Sequence, residues 1–322
     1  MGRYIASRAG SSLLVLLAAS VILFSTVRLI PGDPITTQLG AAGIANPELV
    51  ARTMAAYGLD QPLPVQYVAW LSHVIQGDFG ASLVSGEAVS AIVGRRLGPS
   101  LLLGGSASLL GLGLGLLWGI AAGYVTGLPR TLLRGAPMFV LVVPAFSVGL
   151  ALVFVFAVTL RLLPASGISS PAEGDNQSLA GLLAHLVLPA VSLCLVPASL
   201  IARLTYATVD EVEQEEFIRT ARALGVPGVR IAVQHSLPNV LLPIITTGGL
   251  LVSALITNAV LIETVFSWPG LGSMMITAVQ QRDYTVVQAG VLVVAVVYVV
   301  SSFVVDALYL VADPRVRNPP TE

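Results

Sequence analysis

The chain has 322 residues, of which 55% are hydrophobic and only 10% are charged, and its formal net charge at pH 7 is −1. Soluble domains carry about 25% charged residues, so this composition excludes a soluble globular protein and indicates a polytopic membrane protein. The balanced charge provides no basic patch for nucleic acid, and the single cysteine excludes an internal disulfide.

Hydropathy predicts an all-α protein with six membrane spans, each near the ~20 residues that cross a bilayer. The predicted spans are Ala9–Ile30, Leu101–Tyr124, Pro137–Leu160, Leu182–Ala202, Val240–Ile262 and Val286–Tyr309. Arg3 and Arg8 precede the first span, which favours a cytoplasmic N-terminus and a retained anchor over a cleaved signal peptide. An alternating topology puts more arginines inside than outside, with both termini in the cytoplasm.

The predicted organisation has three parts, which are a tail and first span (1–30), an extracytoplasmic loop or subdomain (31–99) and a five-helix core (100–322). The loop opens with the rigid turn Pro31-Gly32-Asp33-Pro34. It continues with a predicted short helix, Val65–Ile75, and a turn at Gly77-Asp78-Phe79-Gly80.

Glycines recur at every fourth position along the second predicted span, at Gly111, Gly115, Gly119, Gly123 and Gly127. Such a face lets two helix backbones approach closely inside a membrane. The pattern fits packing within the chain and contact with another subunit equally well.

Prolines interrupt the third and fourth predicted spans, at Pro137, Pro144, Pro189 and Pro197. Proline removes a helical hydrogen bond and kinks or breaks a helix unless neighbours satisfy the freed carbonyl. Pro144 and Pro197 are therefore candidate kinks beside a translocation pathway, although such kinks also occur in static bundles.

A polar segment, residues 204–238, stands between two apolar stretches and is predicted to leave the membrane on the cytoplasmic side. Glu215 and Arg219 at i,i+4 favour a helix, which Gly225 with Pro227 would end. A second short helix is predicted from Val229 to Leu237. Such a pair could fill a groove in a soluble partner.

Nine residues separate Gly225 from His235-Ser236-Leu237-Pro238, and Arg219-Thr220-Ala221 precedes this glycine. This arrangement resembles the "EAA" loop of ABC importer permeases, in which Glu-Ala-Ala is usual where Arg219-Thr220-Ala221 stands here. The chain is similar to the dipeptide and oligopeptide permeases in this departure. Leu224 and His235, however, differ from the residues that the resemblance leads us to expect at their positions. The resemblance implies a coupling helix that docks into a partner ATPase. The implied docking residues are Glu216, Phe217, Arg219, Thr220, Ala221, Arg222, Gly225 and Pro238.

The C-terminal third is similar to the same family at the run from Glu263 to Gly272, at Arg282-Asp283-Tyr284 and at Asp313-Pro314-Arg315. Phe266 and Trp268 are expected to be interfacial aromatics before a turn at Pro269-Gly270. The resemblance implies an outer-mouth element. Its residues would be Glu263, Phe266, Trp268, Pro269 and Gly270.

As a whole, the resemblance implies a type I ABC importer permease in a bacterial inner membrane that carries peptides by alternating access. Its implied partners are a homologous permease, two cytoplasmic ATPases that hold ATP and magnesium, and an extracytoplasmic binding protein. No cofactor is expected in this chain, which has no G-x4-G-K-[ST] phosphate loop. The histidines have no metal spacing, and no intramembrane catalytic motif occurs, so no enzyme is predicted.

Two other functions stay open at this point. One is a secondary carrier or channel, which is disfavoured because the second and third spans lack ionisable groups in their apolar cores. The other is a membrane scaffold that recruits a soluble enzyme through the polar segment.

Overall fold

The protein is built from α-helices in its computed structural model, which describes residues 2–29, 48, 60–168 and 179–312. The helices are α1 (Gly2–Leu29), α2 (Leu63–Ile75), α3 (Val89–Tyr124), α4 (Leu128–Val142), α5 (Ala145–Leu152), α6 (Leu179–Glu213), α7 (Glu216–Ala223), α8 (Gly228–Ile231), α9 (Leu237–Val265), α10 (Leu271–Gln280) and α11 (Tyr284–Ala312). A π-helical segment, Val153–Thr159, follows α5, and a second one, Ala232–Ser236, joins α8 to α9. The all-α fold class is confirmed. The predicted turn at residues 31–34 and the family-like segment at residues 313–315 lie outside the described residues.

Several helices match the predicted spans in length and composition. Within the described ranges, four stretches are long and apolar enough to cross a bilayer, namely Arg8–Thr26, Val89–Tyr124, Leu179–Glu213 and Tyr284–Ala307. The bent pair formed by α4 and α5 gives a fifth if it is one span. Helix α9 covers the predicted fifth span, and the total of six stays a prediction.

The third predicted span is not one straight helix. Helix α4 begins at Leu128 and ends at Val142, Pro144 precedes α5, and the two axes are bent by 102°. Proline lacks the N–H that would continue the ladder, so the expected interruption occurs at Pro144. Pro197 behaves differently, because α6 runs through it without a break.

The glycine face of α3 packs against α6 within this chain. A side-chain carbon at Gly115 would lie 2.6 Å from the carbonyl oxygen of Ala198, and one at Gly119 would lie 2.7 Å from that of Ala202. Gly111 and Gly123 likewise face Pro197 and Val209. This contact accounts for the spacing, with one correction: Gly127 lies beyond α3 and precedes α4 with a φ of 74°.

Contacts divide the chain into two compact units, Met1–Gly98 with Met274–Val296 and Pro99–Ser273 with Val297–Glu322. In the first unit, Phe24 of α1 packs against Tyr67 and Trp70 of the predicted short helix α2. The core of the second unit is formed by buried side chains of α3, α6 and α9 together with Phe266 and Trp268.

Candidate functional site

The first part of the polar segment is a continuation of α6, which extends to Glu213. The predicted span Leu182–Ala202 therefore lies within a longer helix, whose continuation to Glu213 was not predicted. A helix satisfies its own backbone hydrogen bonds, so it can leave an apolar region and carry polar side chains without a loop. The second predicted helix is also corrected, since α8 and the π-helical segment continue directly into α9.

Helix α7 lies between these two long helices. Glu216 stands in its first turn and Arg222 in its last turn, which suits the helix dipole at both ends. Gly225 then adopts a φ of 76°, and the N–H of Val226 donates to the carbonyl of Ala221 at 3.1 Å. Glycine ends the helix here because other residues rarely adopt this left-handed conformation.

One face of α7 is anchored to its neighbours by apolar packing. Ile218 is fully buried with Val212 of α6 and Ile231 of α8, and Ala221 and Val226 pack against them. Ala221, which the resemblance assigns to docking, therefore contributes to this anchored face. The buried cluster holds α7 as a fixed element on the end of α6.

The opposite face of α7 is open to solvent. Phe217 is 47% exposed and Leu224 is 78% exposed, although both side chains are apolar. The remaining predicted docking residues are also exposed, namely Glu216, Arg219, Thr220, Arg222, Gly225 and Pro238. Arg222 additionally forms an ion pair with Glu213 of α6. The exposed face thus combines apolar and charged groups on a rigid base.

The sequence analysis did not predict an ionic cluster that joins the polar segment to α4. Asp210 of α6 binds Arg134 at 2.7 Å and Arg130 at 3.1 Å, both from α4. The guanidinium of Arg134 also lies 5.0 Å from the ring centre of Tyr206. The i,i+4 spacing of Arg130 and Arg134 was the available signal, but no pattern identified Asp210 among the neighbouring acids as their partner.

A second missed cluster surrounds Glu263, which is only 1% exposed. Its Oε1 accepts a hydrogen bond from the hydroxyl of Ser100 at 2.6 Å, and its Oε2 accepts one from the N–H of Ser273 at 3.0 Å. Gly270 and Gly272 leave room for this carboxyl group, because a side chain at either would collide with it. The predicted mouth residues Glu263 and Gly270 are therefore in direct contact.

The two aromatic residues of this region are buried inside the protein. Trp268 is 0% exposed and its indole N–H donates to the carbonyl of Pro99 at 2.9 Å, while Phe266 is 2% exposed. The expectation of interfacial aromatics is wrong, since both rings fill the core of their unit. A side-chain carbon added at Gly149 would lie 3.0 Å from the Phe266 ring, so glycine leaves room for this packing. Pro269 is half-buried beside them.

In the first unit, Asp283 joins the turn before α11 to Ser82 and Leu83. Its carboxylate accepts hydrogen bonds from the hydroxyl of Ser82 at 2.5 Å and the N–H of Leu83 at 3.2 Å. It also accepts a hydrogen bond from the hydroxyl of Thr285 at 2.8 Å. This buried aspartate caps and fixes the start of α11, which is a structural role that the sequence did not reveal.

An exposed ion pair in the same unit joins Glu87 and Arg95, with distances of 2.6 Å and 2.8 Å. Hydrogen bonding from Arg95 and its charge hold the pKa of Glu87 below its usual value. Across the described parts of the chain, no group of three or more His, Cys, Asp or Glu residues is arranged to hold a metal ion.

Family models match almost the whole chain. The model described as "Binding-protein-dependent transport system inner membrane component" matches residues 115–318. The model for the N-terminal region of the same class of membrane component matches residues 1–97.

Curated relatives match over the full length. The chain is 36% identical to the di/tripeptide transport system permease protein of Pseudomonas aeruginosa, covering 98% of each chain. It is 34% identical to the dipeptide transport system permease protein of Escherichia coli (strain K12), covering 99% of each. It is 35% identical to the glutathione transport system permease protein of Salmonella paratyphi A, covering 98% of this chain and 99% of that one.

A solved structure shares the fold. A chain of the MetNI methionine ABC transporter in an inward-facing conformation matches with a TM-score of 0.55 at 16% identity, covering 69% of this chain and 96% of that one. Because the two sequences are only 16% identical, this match shows similarity of fold alone.

Proposed function

The chain belongs to the family of inner-membrane components of binding-protein-dependent transport systems, and we propose that it is the permease subunit of an ATP-driven importer of short peptides. It is a multi-pass membrane permease of the ABC type, and it works with ATPase and binding-protein partners. The observation that carries the peptide assignment is its 36% identity to a di/tripeptide permease along 98% of both chains.

The cargo class is also supported by the range of named relatives. Those described above transport dipeptides, di- and tripeptides, and glutathione, which is itself a tripeptide. These cargoes share a short backbone with amide groups and terminal charges. We therefore assign small peptides as a class, with the binding protein choosing among them.

We assign ATPase docking to the exposed face of α7. A docking element must be rigid, because a soft one would bend when its partner moves and would transmit no displacement. Helix α7 meets this need, since Ile218 and Val212 anchor one face while Phe217 and Arg219 are exposed on the other. An exposed aromatic side chain beside arginines is also typical of protein interfaces.

The assembly would contain a homologous second permease, two cytoplasmic ATPases and an extracytoplasmic binding protein. With both termini in the cytoplasm, α7 would face the ATPases and the segment from Glu263 to Gly270 would lie at the outer mouth. Closure of the ATPases on ATP would move α7, and the helices would alternate between inward and outward access. Pro144, where α4 and α5 meet, is a candidate pathway bend, and so is Pro197 within α6.

The test is transport by the assembled complex in proteoliposomes that hold ATP inside, with a mixture of labelled di- and tripeptides and the binding protein added outside. We expect uptake that requires ATP, and ATP hydrolysis that rises when binding protein and peptides are added together. Uptake that persists without ATP and follows an ion gradient would instead make the chain a secondary carrier. Failure to assemble with any ATPase would also contradict the proposal.

A further inference from the structure

Three ionic contacts line the last turns of α6 and reach two different helices. Asp210 is bound by Arg130 and Arg134 of α4, and Glu213 is bound by Arg222 of α7. Asp210 and Glu213 are three residues apart, so they are neighbours on the surface of α6. We call these five residues the ion-pair ladder. It connects α4 to α7 through one stretch of α6.

Asp210 makes more ionic contacts than any other residue of the ladder. Arg134 binds it with two nitrogens, Nη1 to Oδ2 at 2.7 Å and Nη2 to Oδ1 at 2.7 Å. Arg130 adds a contact to Oδ1 at 3.1 Å. A bidentate arginine–carboxylate pair fixes the relative orientation of its partners as well as their distance.

Arg134 is itself held by groups other than Asp210. Its Nε donates to the backbone carbonyl of Ala122 at 3.0 Å, and its guanidinium lies over the ring of Tyr206. A lysine could not make these contacts together, because an ammonium group lacks the planar fork of a guanidinium. The geometry therefore requires arginine at this position.

The contribution of the Arg130–Asp210 pair to stability is small. The side chains of Arg130 and Asp210 are 41% and 32% exposed, and ion pairs that accessible are strongly screened by water. Meanwhile, α7 is already fixed to α6 by the buried cluster around Ile218. What the ladder adds is a defined connection from the end of α6 to the start of α4, the helix that ends at the Pro144 bend.

We propose that Asp210 is a positioning residue that transmits displacement of α7 to α4 through Arg134. This inference rests on the proposed function, in which α7 receives the movement of the ATPases. A displacement of the α6 end reaches α4 because the two helices are joined by directional contacts at Asp210. Without that carboxylate, α7 could still dock and move, while α4 would follow only through apolar packing.

The test measures coupling in the complete complex, as peptide imported per ATP hydrolysed. We expect Asp210→Asn to lower this ratio about tenfold, within the range by which positions along a coupling network act. Binding-protein-stimulated ATP hydrolysis and the melting temperature should stay near those of the unaltered complex. Arg134→Lys should lower the ratio similarly, whereas Asp210→Glu should recover part of it.

The matched control is Glu87→Gln, which breaks the exposed ion pair to Arg95 in the other unit. We expect this variant to retain the unaltered ratio. A ratio that is unchanged in both Asp210→Asn and Arg134→Lys would overturn the inference while leaving peptide import intact. The inference would also be overturned if transport, ATP hydrolysis and melting temperature all fell together in Asp210→Asn and Arg134→Lys, because that result describes a merely structural role. If the unaltered complex imports no peptide, the proposed function fails instead.

Discussion

The hydroxyl of Ser100 donates to Oε1 of Glu263 at 2.6 Å, and the same hydroxyl oxygen accepts the backbone N–H of Leu271 at 2.7 Å. One serine thus joins α3, the last turn of α9 and the first residue of α10. Its two hydrogen bonds satisfy a buried carboxylate and a buried helix-start N–H, both of which are costly to leave unpaired. This contact fixes the turn that contains Pro269 and Gly270.

Replacement of Ser100 by alanine should destabilise this turn. Glu263 would lose one donor and Leu271 would lose its acceptor, at a cost of roughly 1–3 kcal/mol for buried groups left unsatisfied. We expect a lower melting temperature of the detergent-solubilised protein. Ser106→Ala is the control, since Ser106 only donates to Leu103 within its own helix. Equal melting temperatures for the two variants would contradict a joining role for Ser100.

Gly119→Ala should separate α3 from α6. The added methyl group would lie 2.7 Å from the carbonyl oxygen of Ala202 and closer still to the Cβ of Thr205, so the helices must shift. Such overpacking costs roughly 1–3 kcal/mol. Thermal unfolding measures the effect.

Gly113→Ala is the companion variant to Gly119→Ala, because no atom lies within 4 Å of its added carbon. It should be neutral or slightly stabilising, since alanine favours a helix over glycine. If Gly113→Ala lowered thermal stability as much as Gly119→Ala, the contact between α3 and α6 would not be the cause of the destabilisation.

Thr205→Val should not destabilise the protein. The hydroxyl of Thr205 is buried and has no hydrogen-bond partner in the described structure. Valine keeps the shape of the side chain and removes a polar atom whose burial costs about 1–3 kcal/mol when it is unpaired. We expect an unchanged or higher melting temperature. A clear decrease would show that this hydroxyl has a partner in the assembled protein.

Gly225→Val should uncouple ATP hydrolysis from uptake while membrane insertion stays normal. No neighbouring atom lies within 4 Å of an added carbon, so the obstacle is the φ of 76° rather than crowding within the chain. A β-branched residue strains this conformation, whereas asparagine tolerates it. Measurement of peptide-stimulated ATP hydrolysis and uptake in proteoliposomes tests this expectation.

Two further variants separate the causes at Gly225. Gly225→Asn should recover part of the coupling if the backbone conformation is the requirement, and none if a partner approaches the glycine closely. Gly228→Ala should retain coupling, because Gly228 has open space and no positive φ. Normal uptake by Gly225→Val would remove this glycine from the docking segment.

The polar segment illustrates how far local patterns reach. Glycine at position 225 and the surrounding acids and arginines predicted a short helix and its end, and α7 has that form. The continuation of α6 to Glu213 was not predicted, because hydropathy reports a change of environment and not the end of a helix. The break at Pro144 was foreseen from backbone chemistry, but the same rule did not distinguish it from Pro197, which α6 accommodates.

The sequence by itself determined the membrane class, the helical fold and the family resemblance, because these depend on composition, periodicity and motifs read along the chain. Only the tertiary structure decided which distant groups meet. It paired the glycines of α3 with α6, buried Trp268 against Pro99, and joined Asp210 to Arg134 and Ser100 to Glu263. Hydrogen bonds and ion pairs are short-ranged and directional, so a partner 76 or more residues away leaves no local periodic trace.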